Sequence, residues 1–166
     1  PRHRPPALNP SGGPVSGPLL LTIHAAATWA LVGLIWTVHV VHYPLFAAVK
    51  TGFRAYHEAH MQRITLVVGP LMLAELLTAF MLWSDPPRGT SSGLWLAGLV
   101  LLGIVWLETG LFAVPQHGRL EAGFDPSTHR ALMAGNLVRT LAWTARGVLV
   151  TWALLRVLRG AAEAAA

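Results

Sequence analysis

The chain has 166 residues, 54% of them hydrophobic and only 11% charged, with a formal net charge of +5 and no cysteine. A soluble domain carries about a quarter charged residues, so the composition predicts a single domain resident in a membrane. The absence of thiols excludes disulfides, iron–sulfur clusters and thiolate metal sites, and basic residues that mostly flank apolar runs point to phosphate headgroups, not to nucleic acid.

Residues 1–17, PRHRPPALNPSGGPVSG, form a tail rich in Pro, Gly and Ser, with too little apolar surface to fold alone. Such a tail suits ordering on a partner. Four segments follow, at about 18–49, 53–83, 93–114 and 126–159. Each reaches the roughly 20 residues needed to cross a bilayer. They make a domain over 18–160, followed by a short C-terminal tail, 161–166. The first apolar run is too long for the core of a cleavable signal peptide. The fourth is punctuated as a helix, with Asp125 as N-cap, Pro126 at the first helical position and Gly160 past the end. The connections TGFR, SDPPRGTSS and PQHGRLEAGF supply the turns. The expected fold is all-α: an integral membrane antiparallel four-helix bundle with both termini on one side.

We label the face with both termini and the second loop face A, and the opposite face, with the first and third loops, face B. Trp83, Trp95 and Trp152 fall at interface A, and Tyr43, Tyr56 and Phe112 at interface B, as aromatic belts do. The basic flanks divide evenly. Arg2, Arg4, Arg88, Arg156 and Arg159 lie toward face A, and Lys50, Arg54, Arg63, Arg119 and Arg130 toward face B. A bacterial inner membrane is expected, and the positive-inside rule favours neither orientation.

Polar residues inside the apolar segments carry the functional signal. His39 and His42 close the first segment at face B, His57 and His60 open the second, Gln116 and His117 follow the third, and His129 opens the fourth. Deeper, Glu108 and Arg139 share a level, and Glu75 and Arg146 share another with His24. An ionised side chain at the bilayer centre costs about 2.5–3.5 kcal/mol on insertion scales, so these residues should face inward and pair, or lose their charge. In the fourth segment His129, Asn136, Arg139, Trp143 and Arg146 follow one helical stripe. Pro44 and Pro70 leave the carbonyls of Val40 and Leu66 without helical donors, which predicts local kinks.

Each feature has a plainer reading. His39 and His42, three apart, can ligate a metal with Glu108 or hold a haem, or they can cap a neighbouring helix. His57 and His60 read best as wet interfacial residues. YHEAH lacks the four-residue spacing of a zinc-protease helix. The two Glu–Arg pairs can fix helix register or form a proton or substrate site. Met61, Met72, Met81 and Met133 follow no copper-ligand pattern and read as packing.

The strings HYPLF, FRAYHEAHMQR, GPLMLAE, PQHGRLEAGFD and NLVRTLAWTAR together resemble an uncharacterised bacterial family of small four-helix membrane proteins, over about residues 19–158. In layout the chain is also loosely similar to anthrone-oxygenase-like membrane proteins. The resemblance implies the fold and no particular chemistry.

Two functions compete. The first is a membrane redox protein holding haem, a metal ion or a quinone near face B, with His39, His42, His60, Glu108, His117 and Arg139 around it. The second is a non-catalytic accessory subunit of a larger membrane complex of respiratory or photosynthetic type, contacting lipid and other subunits through its helix faces and tail. A proton or ion carrier rests on the buried charges alone, and four helices without internal repeats argue against a secondary transporter.

Overall fold

A computed structural model describes residues 17–165, so the tail assigned to 1–17 lies almost wholly outside the described residues. Among these residues the chain is all-helical, with no strand. Four helices, α1 (Gly17–Phe46), α2 (Phe53–Ser84), α3 (Ser92–Leu120) and α4 (Pro126–Ala165), are long and apolar enough to cross a membrane. Their outer surface is apolar too: Leu66, Leu77, Leu111 and Val148 all stand exposed.

The core has three tiers. Leu21, Leu82, Trp95 and Ala153 form one. Leu31, Ile35, Met72, Val105 and Trp143 form the middle, and Tyr43, Phe46, Phe53, Leu120 and Leu132 form the third. We call the ends of the bundle A and B after the faces above. The α1–α4 seam is stapled twice. The Trp29 indole donates to Thr151 Oγ1 at 3.0 Å, and Trp36, seven residues on, donates to Thr144, seven residues back, also at 3.0 Å. Gly147 makes that approach possible, since a Cβ there would meet the Trp29 ring at 3.2 Å.

Two prolines are accommodated by the same device. Val38–His42 and Thr109–Ala113 are π-helical, and each lies just before a proline, Pro44 or Pro115. Proline clashes with the carbonyl four residues earlier, and a widened turn moves that carbonyl aside. The helix therefore continues through both. Consequently α3 runs to Leu120, and most of the PQHGRLEAGF segment is helix where sequence predicted a loop. Pro70, by contrast, lies inside continuous α-helix. At the other end, α4 extends past Gly160 to Ala165, because the alanine-rich end favours helix enough to carry one glycine.

The turns use glycine where the backbone demands it. Gly52, at φ 70°, enters α2 from the left-handed region, which costs glycine little. Asp125 caps α4, its Oδ2 accepting from the Thr128 N–H and the Ser127 hydroxyl, each at 2.6 Å.

Candidate functional site: two buried polar layers and a flank cavity

Toward end A lies a closed, charge-balanced layer. Glu75 is fully buried and Arg146 is 1% exposed; Arg146 Nε lies 3.0 Å from Glu75 Oε1. The same oxygen accepts from Thr28 Oγ1 at 2.8 Å, while Oε2 accepts from the Trp143 indole at 2.9 Å. A further guanidinium N–H of Arg146 donates to the Gly98 carbonyl. Three helices thus meet at one carboxylate, and α3 joins the layer through the Gly98 carbonyl on Arg146. His24 stands beside this layer. Its Nδ1 lies 2.8 Å from Thr78 Oγ1, whose own proton goes to the Ala74 carbonyl, so the imidazole is the donor.

Toward end B the histidines assemble. His42 Nε2 lies 2.7 Å from His60 Nδ1. His57 Nε2 lies 3.0 Å from His117 Nδ1, and His117 Nε2 lies 2.9 Å from the Tyr43 hydroxyl. The His60 and His117 ring centroids are 5.8 Å apart. Phe46, fully buried, closes the cluster edge-on at 5.3 Å from both His42 and His60. His129 donates through Nε2 to the Tyr43 carbonyl at 2.8 Å, capping the end of α1 from α4.

The chain Tyr43–His117–His57 has a chemical property that single imidazoles lack. In one proton arrangement Tyr43 donates to His117 Nε2, His117 Nδ1 donates to His57 Nε2, and His57 Nδ1 keeps its hydrogen. The opposite arrangement uses the same contacts, because each ring carries one donor and one acceptor nitrogen. Such a chain can pass a proton. His57 Nδ1 is buried without a partner, as is His60 Nε2.

Arg139 on α4 pairs with Glu108 on α3. Its Nε sits 2.7 Å from Glu108 Oε2, a buried ion pair across the α3–α4 seam. The other end of the guanidinium donates to Asn136 Oδ1 at 2.9 Å, and Asn136 approaches His39 Nδ1 at 3.3 Å.

The structure therefore joins His42 with His60, places His117 beside them, and sets Glu108 against Arg139. It does not bring His39 and His42 to one point. The wide π turn splays them, His39 toward Asn136 on α4 and His42 toward His60 on α2. Among the described residues no three His, Asp or Glu side chains are placed to hold one metal ion.

Four residues, His57, His60, Tyr43 and Trp95, are buried where sequence placed them at an interface. His57 and His60 are buried, not wet, because Phe46 packs edge-on against both and Phe53 stacks on His57. Tyr43 is not a belt residue; it is 4% exposed, with its hydroxyl on His117. Trp95 is likewise buried, its indole donating to Thr90 Oγ1 at 3.0 Å. No sequence signal distinguished these aromatics from Trp83 and Trp152, which do stand at the surface.

A cavity of about 370 Å³ opens on the flank between α2 and α3. Its wall is apolar, from Leu31, Ile35, Ile64, Val68, Met72 and Ala113, and Leu73 and Val114 stand at its exposed margin. Its polar lining comes chiefly from Tyr43, His117 and Arg139. Trp106 also lines it, with an indole N–H that has no partner.

No protein-family model, curated protein or solved structure shows significant similarity to this chain.

Proposed function

We propose that the chain is an integral protein of the bacterial inner membrane, an antiparallel four-helix bundle with both termini on one side, that binds a quinone-class molecule drawn from the bilayer. The Trp29–Thr151 and Trp36–Thr144 staples support the antiparallel run of α1 and α4. The apolar outer surface supports the membrane.

The flank cavity carries the ligand reading. Small-molecule sites of about 300–1,000 Å³ are mostly apolar with a few convergent polar groups, and this one reaches the low end of that range. A site on the flank of a membrane bundle recruits a ligand that is itself dissolved in lipid. A ring with carbonyl oxygens and an apolar tail fits the donor set: Arg139 supplies fixed N–H donors, Tyr43 a reversible one backed by His117, and Trp106 an unused indole N–H.

Such a ring supplies two-electron, two-proton redox chemistry when bound, its electrons coming from a redox partner in the membrane. The chain's own residues do the rest. Arg139 favours negative charge at the inner end of the cavity, and the pairing with Glu108 holds the guanidinium there. Tyr43, His117 and His57 hold or pass protons. Leu31, Ile35 and Met72 exclude water. A haem or a metal ion is supported less, because His42, His57, His60 and His117 bond one another or Tyr43 and do not converge. The exposed apolar faces suit lipid as well as subunits, so they do not favour the accessory role.

The test is fluorescence quenching of purified protein by short-tailed benzoquinones and naphthoquinones, with Trp106 and Trp143 lining the cavity as reporters. Saturable quenching is expected, weakened by Gly69→Leu. Gly69 lines the cavity and an added Cβ there meets open space, so a larger side chain can occupy the site without unfolding the bundle. No saturable binding by the wild type would overturn the quinone reading and leave the accessory subunit.

A further inference from the structure

A second groove, of about 350 Å³, lies between α1 and α2. Its α2 side is formed by Tyr56, Ala59, His60, Arg63, Ile64 and Val67, spaced three, one, three, one and three apart along one helical stripe. Leu34, Thr37, Val38 and His42 form the α1 side. The polarity is graded along the groove. Tyr56, His42, His60 and Arg63 occupy the end toward B, and Leu34, Ile64 and Val67 continue toward the middle of the bundle.

Arg63 is the anomaly. It lies ten residues into α2 from Phe53, roughly 15 Å along the axis, and it is exposed. Among the described residues it has no carboxylate partner: the two ion pairs are Arg139–Glu108 and Arg146–Glu75. Glu58, five residues before it and so turned to another side of the helix, accepts from Gln62. A guanidinium at that depth on the outer surface needs an anion or water beside it. His60 Nε2, buried and unpartnered, belongs to the same groove.

We propose that this groove holds one anionic phospholipid. Its phosphate lies against Arg63 with the His60 Nε2–H and the Tyr56 hydroxyl as further donors, His42 bonding His60 from behind, and one acyl chain runs along Leu34, Val38, Ile64 and Val67. The grading of the groove matches that of a lipid standing in its own leaflet, headgroup outward and chain inward. The negative charge of the headgroup answers the unpaired arginine, and a planar guanidinium is well suited to phosphate. The inference rests on the membrane placement above and is independent of the quinone site.

The experiment uses the full chain reconstituted in nanodiscs of phosphatidylcholine with a minor share of phosphatidylglycerol, released into native mass spectrometry. Wild-type protein should retain one phosphatidylglycerol in preference to phosphatidylcholine. Arg63→Gln should lower that preference by on the order of tenfold, as loss of a charge-assisted contact does. Val67→Trp, which keeps Arg63 but fills the apolar half of the groove, should also release the lipid. Arg119→Gln, an exposed charge away from the groove, should change nothing. Both groove positions are exposed, so helicity by circular dichroism should match wild type. Equal retention of the two lipids by wild-type protein, or undiminished preference in Arg63→Gln, would overturn the proposal. Retention in Val67→Trp would overturn the groove, leaving a phosphate held at the surface by arginine alone. A failure of membrane placement would appear separately, as wild-type protein that does not incorporate into nanodiscs.

Discussion

Gly135 on α4 lies directly against the carboxylate of Glu108 on α3: a Cβ at residue 135 would fall on Glu108 Oε1. The absence of a side chain at one position thus sets the place of a charge on another helix, and through it the Arg139 guanidinium at the cavity.

Gly135→Ala should therefore destabilise the bundle by about 1–3 kcal/mol, the usual penalty for overpacking, despite alanine's better helix propensity. Thermal unfolding in detergent measures it. The informative comparison is Glu108→Ala alone and combined with Gly135→Ala. With the carboxylate gone the added methyl has room, so the double variant should be more stable than the two single effects sum to. Strict additivity would mean that the two residues do not contend for the same space.

The deeper layer gives the largest expected loss. Glu75→Gln removes the charge that balances Arg146, and breaking a buried pair from one side costs about 3–5 kcal/mol. Glutamine keeps one carbonyl acceptor, but its NH₂ must then face either the Trp143 indole or the Arg146 and Thr28 donors, so the upper end of that range applies. Replacing both Glu75 and Arg146 by leucine should cost less than Glu75→Leu alone, because no unpaired charge remains. A double variant worse than the single one would show that the other hydrogen bonds of Glu75 matter more than its charge.

Tyr43→Phe should strand His117 Nε2 and cost about 1–3 kcal/mol. Its clearer signature is spectroscopic. Because His117 bonds Tyr43 through one nitrogen and His57 through the other, the ring nitrogen signals of both histidines should move in ¹⁵N spectra. A response confined to His117 would break the proposed chain at its second link.

Asp125 predicts a pH effect at the start of α4. Hydrogen bonds from Ser127 and Thr128 lower its carboxyl from 3.8 to about 2. A group whose value is lowered on folding stabilises the fold above its unfolded value and loses that contribution as pH falls through the folded one. Amide exchange protection in the first turn of α4 should thus fall in the wild type between about pH 4 and pH 2, and Asp125→Ala should show no such step. An identical profile in both would remove Asp125 as the working cap.

Much of this architecture is legible without coordinates, and the reason is periodicity. Four apolar runs, a Pro126 start and one polar stripe on α4 place Asn136, Arg139, Trp143 and Arg146 on the same side. A rise of about 1.5 Å per residue then matches Glu75 with Arg146 and Glu108 with Arg139, since charges in an apolar segment have few places to go. Helix ends were less legible: Pro44 and Pro115 mark where the helix must adjust, but Pro70 lies in unbroken α-helix, so a proline alone does not say whether the turn widens and the helix continues.

The order of residues set the four helices, the levels that Glu75 shares with Arg146 and Glu108 with Arg139, and the gathering of six histidines toward one end. It could not decide which way those histidines turn. His39 and His42 share a face in an α-helix and part company in a π turn. His57, three residues before His60, looks interfacial until Phe46 and Phe53 cover it. The tertiary structure alone made these decisions, because direction around a helix near its end depends on the neighbour that packs against it. Depth follows from counting residues; partnership follows from packing, and the Tyr43–His117–His57 chain, the Gly135–Glu108 contact and both grooves beside α2 belong to packing.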